Sequence, residues 1–517
     1  MKKNMKKLTA LLLGAIMAVS MFAGCGSSNK KNAEVNDNGE LVVDTSEHVD
    51  LKMYLIGDRT PDFDEVYGKI NEILEKKLNC SLSVDFLSWG EHDTKYSLLF
   101  SQNKDFDLIF TASSWCHYEQ TVALKGFYAL SEDFIKTYAP DIWKVVPEMA
   151  WDQAKIDGNI YMVPNYQNQF GQDVMAIRGD LMKKYGISQI TNWDELMAFY
   201  KACAAANDGI YASQGSPSYQ YFQSKGLTTT GGAPKSGELI LYNTQDPSDL
   251  SFTYVLDWDG FTDYCKQMKE LAVAGAWSPD VLNSTDERQD GLLNGRTATM
   301  TWNLGTCRTY AKQAESEHPE WEMTLIDPVA TMPKKVNSYI NNGVAINSRS
   351  KNKERAMMVL NEFYTNPEVY DLAYLGIEGK HWEAVGTDQY KVIDESGYGV
   401  DSNCNWGWTN TTIRRTEYIE NKTAVDKRYD ELDDAFNANV KKDHIYDGFN
   451  FDSTNVSTQF AAVEAAVGKY FDPLSNGLVD DVDASLAEFR AALESAGIRD
   501  IIAELEKQAK EYVDSKK

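Results

Sequence analysis

Five of the twelve tryptophans stand where apolar runs give way to polar loops, or inside loops rich in Gly and Asn: Trp89, Trp115, Trp302, Trp406 and Trp408. The densest stretch is Cys404-Asn405-Trp406-Gly407-Trp408-Thr409-Asn410. Flat aromatic surface beside short polar side chains suits a molecule with an apolar C–H face and hydroxyls at its edge, as a sugar ring has. Asp58, Ser114, Asn165, Tyr166 and Asn303 supply such polar groups near the same loops, with Gln167 beside them and Arg59 next to Asp58. The candidate ligand-binding set is therefore Asp58, Trp89, Ser114, Trp115, Asn165, Tyr166, Trp302, Asn303, Trp406 and Trp408. Each has a structural alternative: tryptophans fill cores, Asn and Ser satisfy backbone groups at turns, and Asp58 can sit in a solvated turn. Asp257 and Asp259 flank Trp258 at a helix start, where carboxylates favour the dipole without any ligand.

A hydrolase acting on glycans would need two opposed carboxylates as well as aromatics. With 77 Asp and Glu in the chain, pair spacing carries no information. HExxH, GxSxG, the P-loop and GxGxxG do not occur in the sequence. The six histidines, His48, His92, His117, His318, His381 and His444, lack ligand spacing, and Asp480, Asp481 and Asp483 depart from the EF-hand pattern. Besides Cys25 there are Cys80, Cys116, Cys203, Cys265, Cys307 and Cys404, with no CxxC, and they read as buried thiols. No metal and no cofactor is expected.

The elements that must position the aromatics follow from periodicity. Leu51, Met53 and Leu55 alternate, a helix begins near Pro61, and Leu82, Val84 and Phe86 alternate again before a helix over 91–101 and a strand over 106–110. Strands alternating with helices indicate a parallel sheet, and in open sheets ligands sit beyond the strands' carboxyl ends, which puts Gly57-Asp58, Ser88-Trp89 and Ser113 to Trp115 on one rim. Asp157-Gly158 predicts a type I′ hairpin turn, and the polar run 165–172 leads to a new strand over 174–177, as where a chain leaves one lobe for another. Helices are expected over 193–206, 257–274, 285–293 and 352–364, strands over 297–302 and 342–347, and two amphipathic helices over 483–515 broken at Gly497. Residues 212–250, rich in Gly and Pro, read as a loop-rich insertion.

A chain of 517 residues exceeds what one core supports, so two or more lobes are expected. Its net charge of −26 argues against nucleic acid and against electrostatic binding to anionic lipid. Lys2, Lys3, Lys6 and Lys7 precede an apolar run over 8–22 that is shorter than the roughly 20 residues of a membrane-spanning helix, the pattern of a signal peptide. Its end, Phe22-Ala23-Gly24-Cys25, resembles the lipobox of bacterial lipoproteins, with Phe22 where Leu is usual; the resemblance implies diacylation of Cys25 and anchoring at the membrane. Residues 26–48 suit a flexible tether.

Three further segments, Asp-Gly-Asn-Ile-Tyr-Met-Val-Pro at 157–164, Leu-Leu-Asn-Gly-Arg-Thr-Ala-Thr-Met-Thr-Trp at 292–302 and Gly-Val-Ala-Ile-Asn-Ser-Arg-Ser-Lys-Asn-Lys-Glu-Arg-Ala at 343–356, resemble the solute-binding lipoproteins of carbohydrate-type ABC importers. Leu375 to His381 and Phe471 to Asp480 look like the subgroup whose C-terminal region is a domain of unknown function. The resemblance implies a two-lobed α/β, periplasmic-binding-protein-like fold (type II), each lobe a mixed, mostly parallel sheet flanked by helices, with a hinge and an interlobe cleft. It implies domains at 1–25 (signal peptide), 26–48 (tether), 49–166 plus 327–385 (N-terminal lobe) and 167–326 plus 386–517 (C-terminal lobe). The expected partners are a carbohydrate solute, an ABC permease and the membrane through Cys25; no nucleic acid is expected, and the chain is expected to be a monomer on the extracytoplasmic face. The alternatives are a secreted carbohydrate-active enzyme and a receptor for a peptide or other polar solute.

Overall fold

The strand Val49–Ile56 (β1) buries Leu51, Met53, Leu55 and Ile56 and ends at Gly57, whose φ of 120° suits glycine. In the helix Phe63–Leu78, Phe63, Val66, Tyr67, Ile70, Leu74 and Leu78 form one buried face at three- and four-residue spacing. Asp64 and Glu65 in its first turn and Lys76 and Lys77 in its last complement the helix dipole, and Asn79, in the left-handed region, turns the chain into Cys80–Leu87 (β2). β2 lies parallel to β1 from Val49 opposite Cys80 to Ile56 opposite Leu87. After the helix His92–Ser101, Leu108–Thr111 (β3) takes the other side of β1, again parallel.

Lys155–Ile156 and Asn159–Ile160 pair across Asp157 and Gly158, whose φ values of 49° and 73° are the two positive angles a type I′ turn requires. Val163–Pro164 (β4) follows, then Val174–Ile177 (β5), Thr299–Trp302 (β6), Thr324–Ile326 (β7) and Gly343–Ile346 (β8). The first sheet has the order β2-β1-β3-β8-β4, with β8 antiparallel to both neighbours. The second has the order β6-β5-β7.

The computed structural model describes residues 34–35, 41–113, 115–167, 173–234, 239–400, 403–441 and 443–517. The chain divides into residues 1–48 and 49–517. Within the first unit Glu34–Val35 pairs antiparallel with Leu41–Val42, so the stretch read as a tether carries a short strand pair; Cys25 and the signal segment lie outside the described residues.

Residues 49–517 contain separate hydrophobic cores. One, around the first sheet, draws on residues between Leu51 and Val163 and between Tyr339 and Trp408. The second sheet separates two more: Met175 and Ile177 of β5 point to a core completed by Tyr446 through Ala509, while Val174 and Ala176 point to a smaller one completed by Val425, Leu432 and Phe436. The alternation of β5 therefore buries both of its faces.

Three expectations change. Both partners of β5 run antiparallel to it: β6 and β7, joined through the helix Leu304–Glu317, share one direction with β5 reversed between them, so the second sheet is not mostly parallel. Tyr390, Tyr398, Cys404 and Trp408 pack into the first core, so the stretch after 385 does not belong wholly with 167–326. The helix expected over 285–293 is confined to Asp290–Leu293. Other readings match closely, among them Trp193–Ala206 with Asn192 accepting from Glu195 N–H as its cap, and Val482–Ala496 and Ile498–Ser515 parted at Gly497 with φ of 90°. All six described cysteines are buried free thiols.

Where the chain returns from β7 toward the first sheet, Lys334 Nζ donates to Asp327 Oδ2 at 2.5 Å and to Val329 O at 2.9 Å, both side chains being 2% exposed. Burial lowers the Lys334 pKa, and the Asp327 carboxylate beside it opposes the shift. Asp257, read as a helix-start carboxylate, instead binds Arg490 and Arg499, tying its segment to the C-terminal helices.

Candidate functional site

Since β1, β2 and β3 run parallel, their carboxyl ends share one edge of the sheet, and the loops that leave them carry Asp58, Trp89 and Trp115. Trp406 joins from the single-turn helix Asn405–Trp408. The ring centroids are 5.8 Å apart for Trp89 and Trp115, 6.1 Å for Trp89 and Trp406, and 6.4 Å for Trp115 and Trp406. Phe110, the third residue of β3, backs Trp406 at 5.5 Å and 26°. Trp89 is 50% exposed, whereas Trp115 and Trp406 are partly buried against the first core. Trp115 Nε1 donates to Asn341 O at 3.2 Å, which fixes the plane of its ring.

The loop that delivers Trp406 is held from several sides. Asn405 Nδ2 donates to Tyr374 O at 3.1 Å and to Gly399 O at 2.9 Å, and the Tyr364 hydroxyl donates to Gly407 O at 3.0 Å and Val163 O at 2.9 Å. A Cβ on Gly407 would lie 2.7 Å from the Phe110 ring, so only glycine lets the loop approach β3 this closely. Aromatics fixed before a ligand arrives lose little freedom on binding.

His92 stands edge-on to Trp89 at 5.8 Å and to Trp115 at 5.9 Å. Its Nε2 and that of His117 lie 3.4 and 3.5 Å from Asp93 Oδ1. Burial lowers the His117 pKa while Asp93 opposes the shift, so that ring is neutral at pH 7.

A second aromatic lies on the other sheet. Trp302, at the end of β6 and opposite Val174 in β5, is partly buried, and the Arg288 guanidinium sits 4.3 Å from its ring centroid. Next to β5, burial raises the Asp173 carboxyl to about 6, with Arg288 opposing the shift. A carboxyl whose folded pKa exceeds its unfolded value binds more protons in the folded chain, so it lowers stability progressively as pH rises from about 4 to 6. Asp173→Asn should flatten that part of the profile: the melting temperature of the variant relative to the parent should rise between pH 4 and 7. A constant difference across that range would refute the shift.

Between the cores lies a cavity of about 300 Å³. Ser113, Gln153 and Asn341 reach it from the first-sheet side, and Thr230, Lys335 and Asp447 from the other. Asn341 is the residue whose carbonyl holds Trp115, so the cavity adjoins the tryptophan cluster.

Among the candidates, the structure brings Trp89, Trp115 and Trp406 together, with Asp58 exposed at the same sheet edge. Ser114 lies outside the described residues, as do 168–172 of the polar crossing. Asn165 is 3% exposed and its N–H donates to Asn342 O, while Tyr166 donates its N–H to Thr409 O at 2.7 Å and stands 6.1 Å from Tyr339. Asn303 Oδ1 accepts from Thr306 N–H and caps the helix Leu304–Glu317, a structural use of that side chain. Trp408 is a correction: it is fully buried, edge-on to Phe363 at 4.9 Å, and no solute can reach it. The cavity residues of the insertion and of the C-terminal region were not anticipated; the run Thr228-Thr229-Thr230-Gly231-Gly232 was the available signal.

Comparison with known proteins agrees with this architecture. Residues 58–370 match the family described as bacterial extracellular solute-binding protein, and residues 445–514 match a domain of unknown function. The chain is 26% identical over 527 aligned positions, covering both chains completely, to a carbohydrate ABC transporter substrate-binding protein of Streptococcus pneumoniae. Its fold is similar to that of the N-glycan transport solute binding protein NgtS of S. pneumoniae, with a TM-score of 0.71 at 22% identity over 91% of this chain and 100% of that one. For NgtS in complex with Man5GlcNAc the TM-score is 0.66 at 23% identity, over 91% and 100%. The family model covers more than half of the chain, from the loop after β1 to beyond β8, and on that ground this chain belongs to the bacterial extracellular solute-binding proteins.

Proposed function

We propose that this protein is a lipid-anchored extracytoplasmic receptor that captures a carbohydrate, an oligosaccharide, between its two lobes and hands it to an ABC permease. The observation that carries the reading is the group of three tryptophan rings, all within 6.4 Å of one another, at the carboxyl edge of the parallel strands beside an interlobe cavity. The grouped indoles supply apolar area to the C–H faces of pyranose rings, and the hydroxyl and amide groups of the cavity complement their edges. The relatives named for carbohydrate and N-glycan transport support the same solute class.

Capture requires the closed state to bind solute better than the open one. A form populated at about 1% rises to about 99% only when that preference reaches about 10⁴-fold. Contacts from both lobes supply such a preference, because a solute touching one lobe alone binds open and closed states alike.

Isothermal titration against a panel of neutral glycans, followed by chromatography of the recovered ligand, tests the reading. Saturable binding with intact glycan is expected. Cleavage would instead establish the carbohydrate-active enzyme, and binding of peptides in place of glycans would establish a peptide receptor. The anchor is tested separately: Cys25→Ala should move the protein from the membrane fraction to the soluble one, and continued membrane fractionation would remove the lipoprotein reading.

A further inference from the structure

Tyr446, Asp447 and Phe449 of the C-terminal region line the same interlobe cavity as Thr228, Thr229 and Thr230 of the insertion. The two segments are joined backbone to backbone. Gly231 bridges to Asn450, and Phe451 N–H donates to Gly231 O at 2.8 Å. A Cβ on Gly232, whose φ is 73°, would lie 2.1 Å from Phe451 O, so the contact admits no side chain there. This wall is consequently a built feature that neither segment forms alone.

Its chemistry points to a ligand. Thr230 Oγ1 is buried without a hydrogen-bond partner, and Thr230 lines the cavity. A buried hydroxyl left without a partner is costly, and a bound hydroxyl would satisfy it. The charged groups of the wall are already engaged: Lys335 Nζ contacts both Asp447 carboxylate oxygens at 3.1 Å, and the Tyr242 hydroxyl lies 3.2 Å from Asp447 Oδ1. An ionised group entering beside this pair would be desolvated without compensation. At about 300 Å³ the cavity is at the small end of ligand sites, and it adjoins Trp115 through Asn341.

We propose that the C-terminal domain is part of the solute site: with the insertion it forms a second subsite that takes one uncharged sugar unit of a glycan whose neighbouring unit stacks on the tryptophans. The inference rests on the glycan-receptor reading and specifies the solute as at least two units long, with a neutral unit in the second position.

The test compares a monosaccharide, which occupies the tryptophan position alone, with a long neutral glycan: mannose or N-acetylglucosamine against Man5GlcNAc if mannosyl glycans bind, and the monosaccharide against the hexasaccharide of whichever neutral series binds otherwise. Thr229→Trp, which fills the cavity, should remove at least tenfold of the long glycan's affinity and leave the short one within threefold. Thr230→Val, which deletes only the unpartnered hydroxyl and keeps the side-chain shape, should act in the same direction by about three- to tenfold and decides the matter if Thr229→Trp fails to fold. The parent protein should bind a long glycan capped with a carboxylate-bearing sugar at least tenfold more weakly than the uncapped one. Unchanged long-glycan binding in the folded variants, equal losses for both lengths, or equal binding of the capped glycan would overturn the subsite while the receptor reading stands. A parent that binds no glycan of any length would remove the receptor reading and the subsite with it.

Discussion

Trp406→Ala is expected to weaken glycan binding by about 30-fold or more, corresponding to the roughly 2 kcal/mol at which a buried aromatic anchor counts as a binding hot spot. Trp406 is stacked on Phe110 and lies within 6.4 Å of both other indoles, so its loss removes a ring face and loosens the remaining two. The loop itself should persist, because the bonds from Asn405 Nδ2 and the Tyr364 hydroxyl do not involve the indole. The unfolding midpoint of the ligand-free variant should therefore fall only modestly, and Trp406→Phe should recover part of the affinity. Titration calorimetry combined with urea unfolding reads both quantities; a variant that unfolds much earlier yet binds normally would assign Trp406 to the core.

Trp408→Ala, two residues away, is expected to do the opposite. Its indole is 0% exposed and packs edge-on to Phe363, so truncation leaves a cavity and should cost about 3–5 kcal/mol of unfolding free energy. Below the unfolding transition the remaining folded protein should bind glycan with affinity close to that of the parent. Strong loss of affinity at unchanged stability would place Trp408 in the ligand site and contradict its burial. Together the two variants separate recognition from packing within one turn of chain.

The same pair shows where sequence reading stops. Both tryptophans sit in one polar, Gly-rich stretch, and nothing in their immediate neighbours distinguishes them. The difference arises because the turn Asn405–Trp408 is wedged against β3 at Gly407, which directs one indole toward Trp89 and Trp115 and the next into the core beneath. Similarly, Asn303 reads equally well as a ligand residue or a helix cap until the bond from Thr306 N–H is known.

What the sequence determined alone is what local physics controls. The Asp157-Gly158 turn, the buried face of Phe63–Leu78, the break at Gly497, and the alternation of strands and helices that puts Trp89 and Trp115 on one sheet edge depend on φ preference and side-chain period within a few turns. The antiparallel pairing of β6 and β7 with β5, the return of Tyr390, Tyr398, Cys404 and Trp408 to the first core, and the wall made by Thr228 to Gly232 with Tyr446 to Phe449 are contacts between segments far apart in the chain. Hydrophobic periodicity says that a face will be buried but not against which partner, and only the packed structure makes that choice.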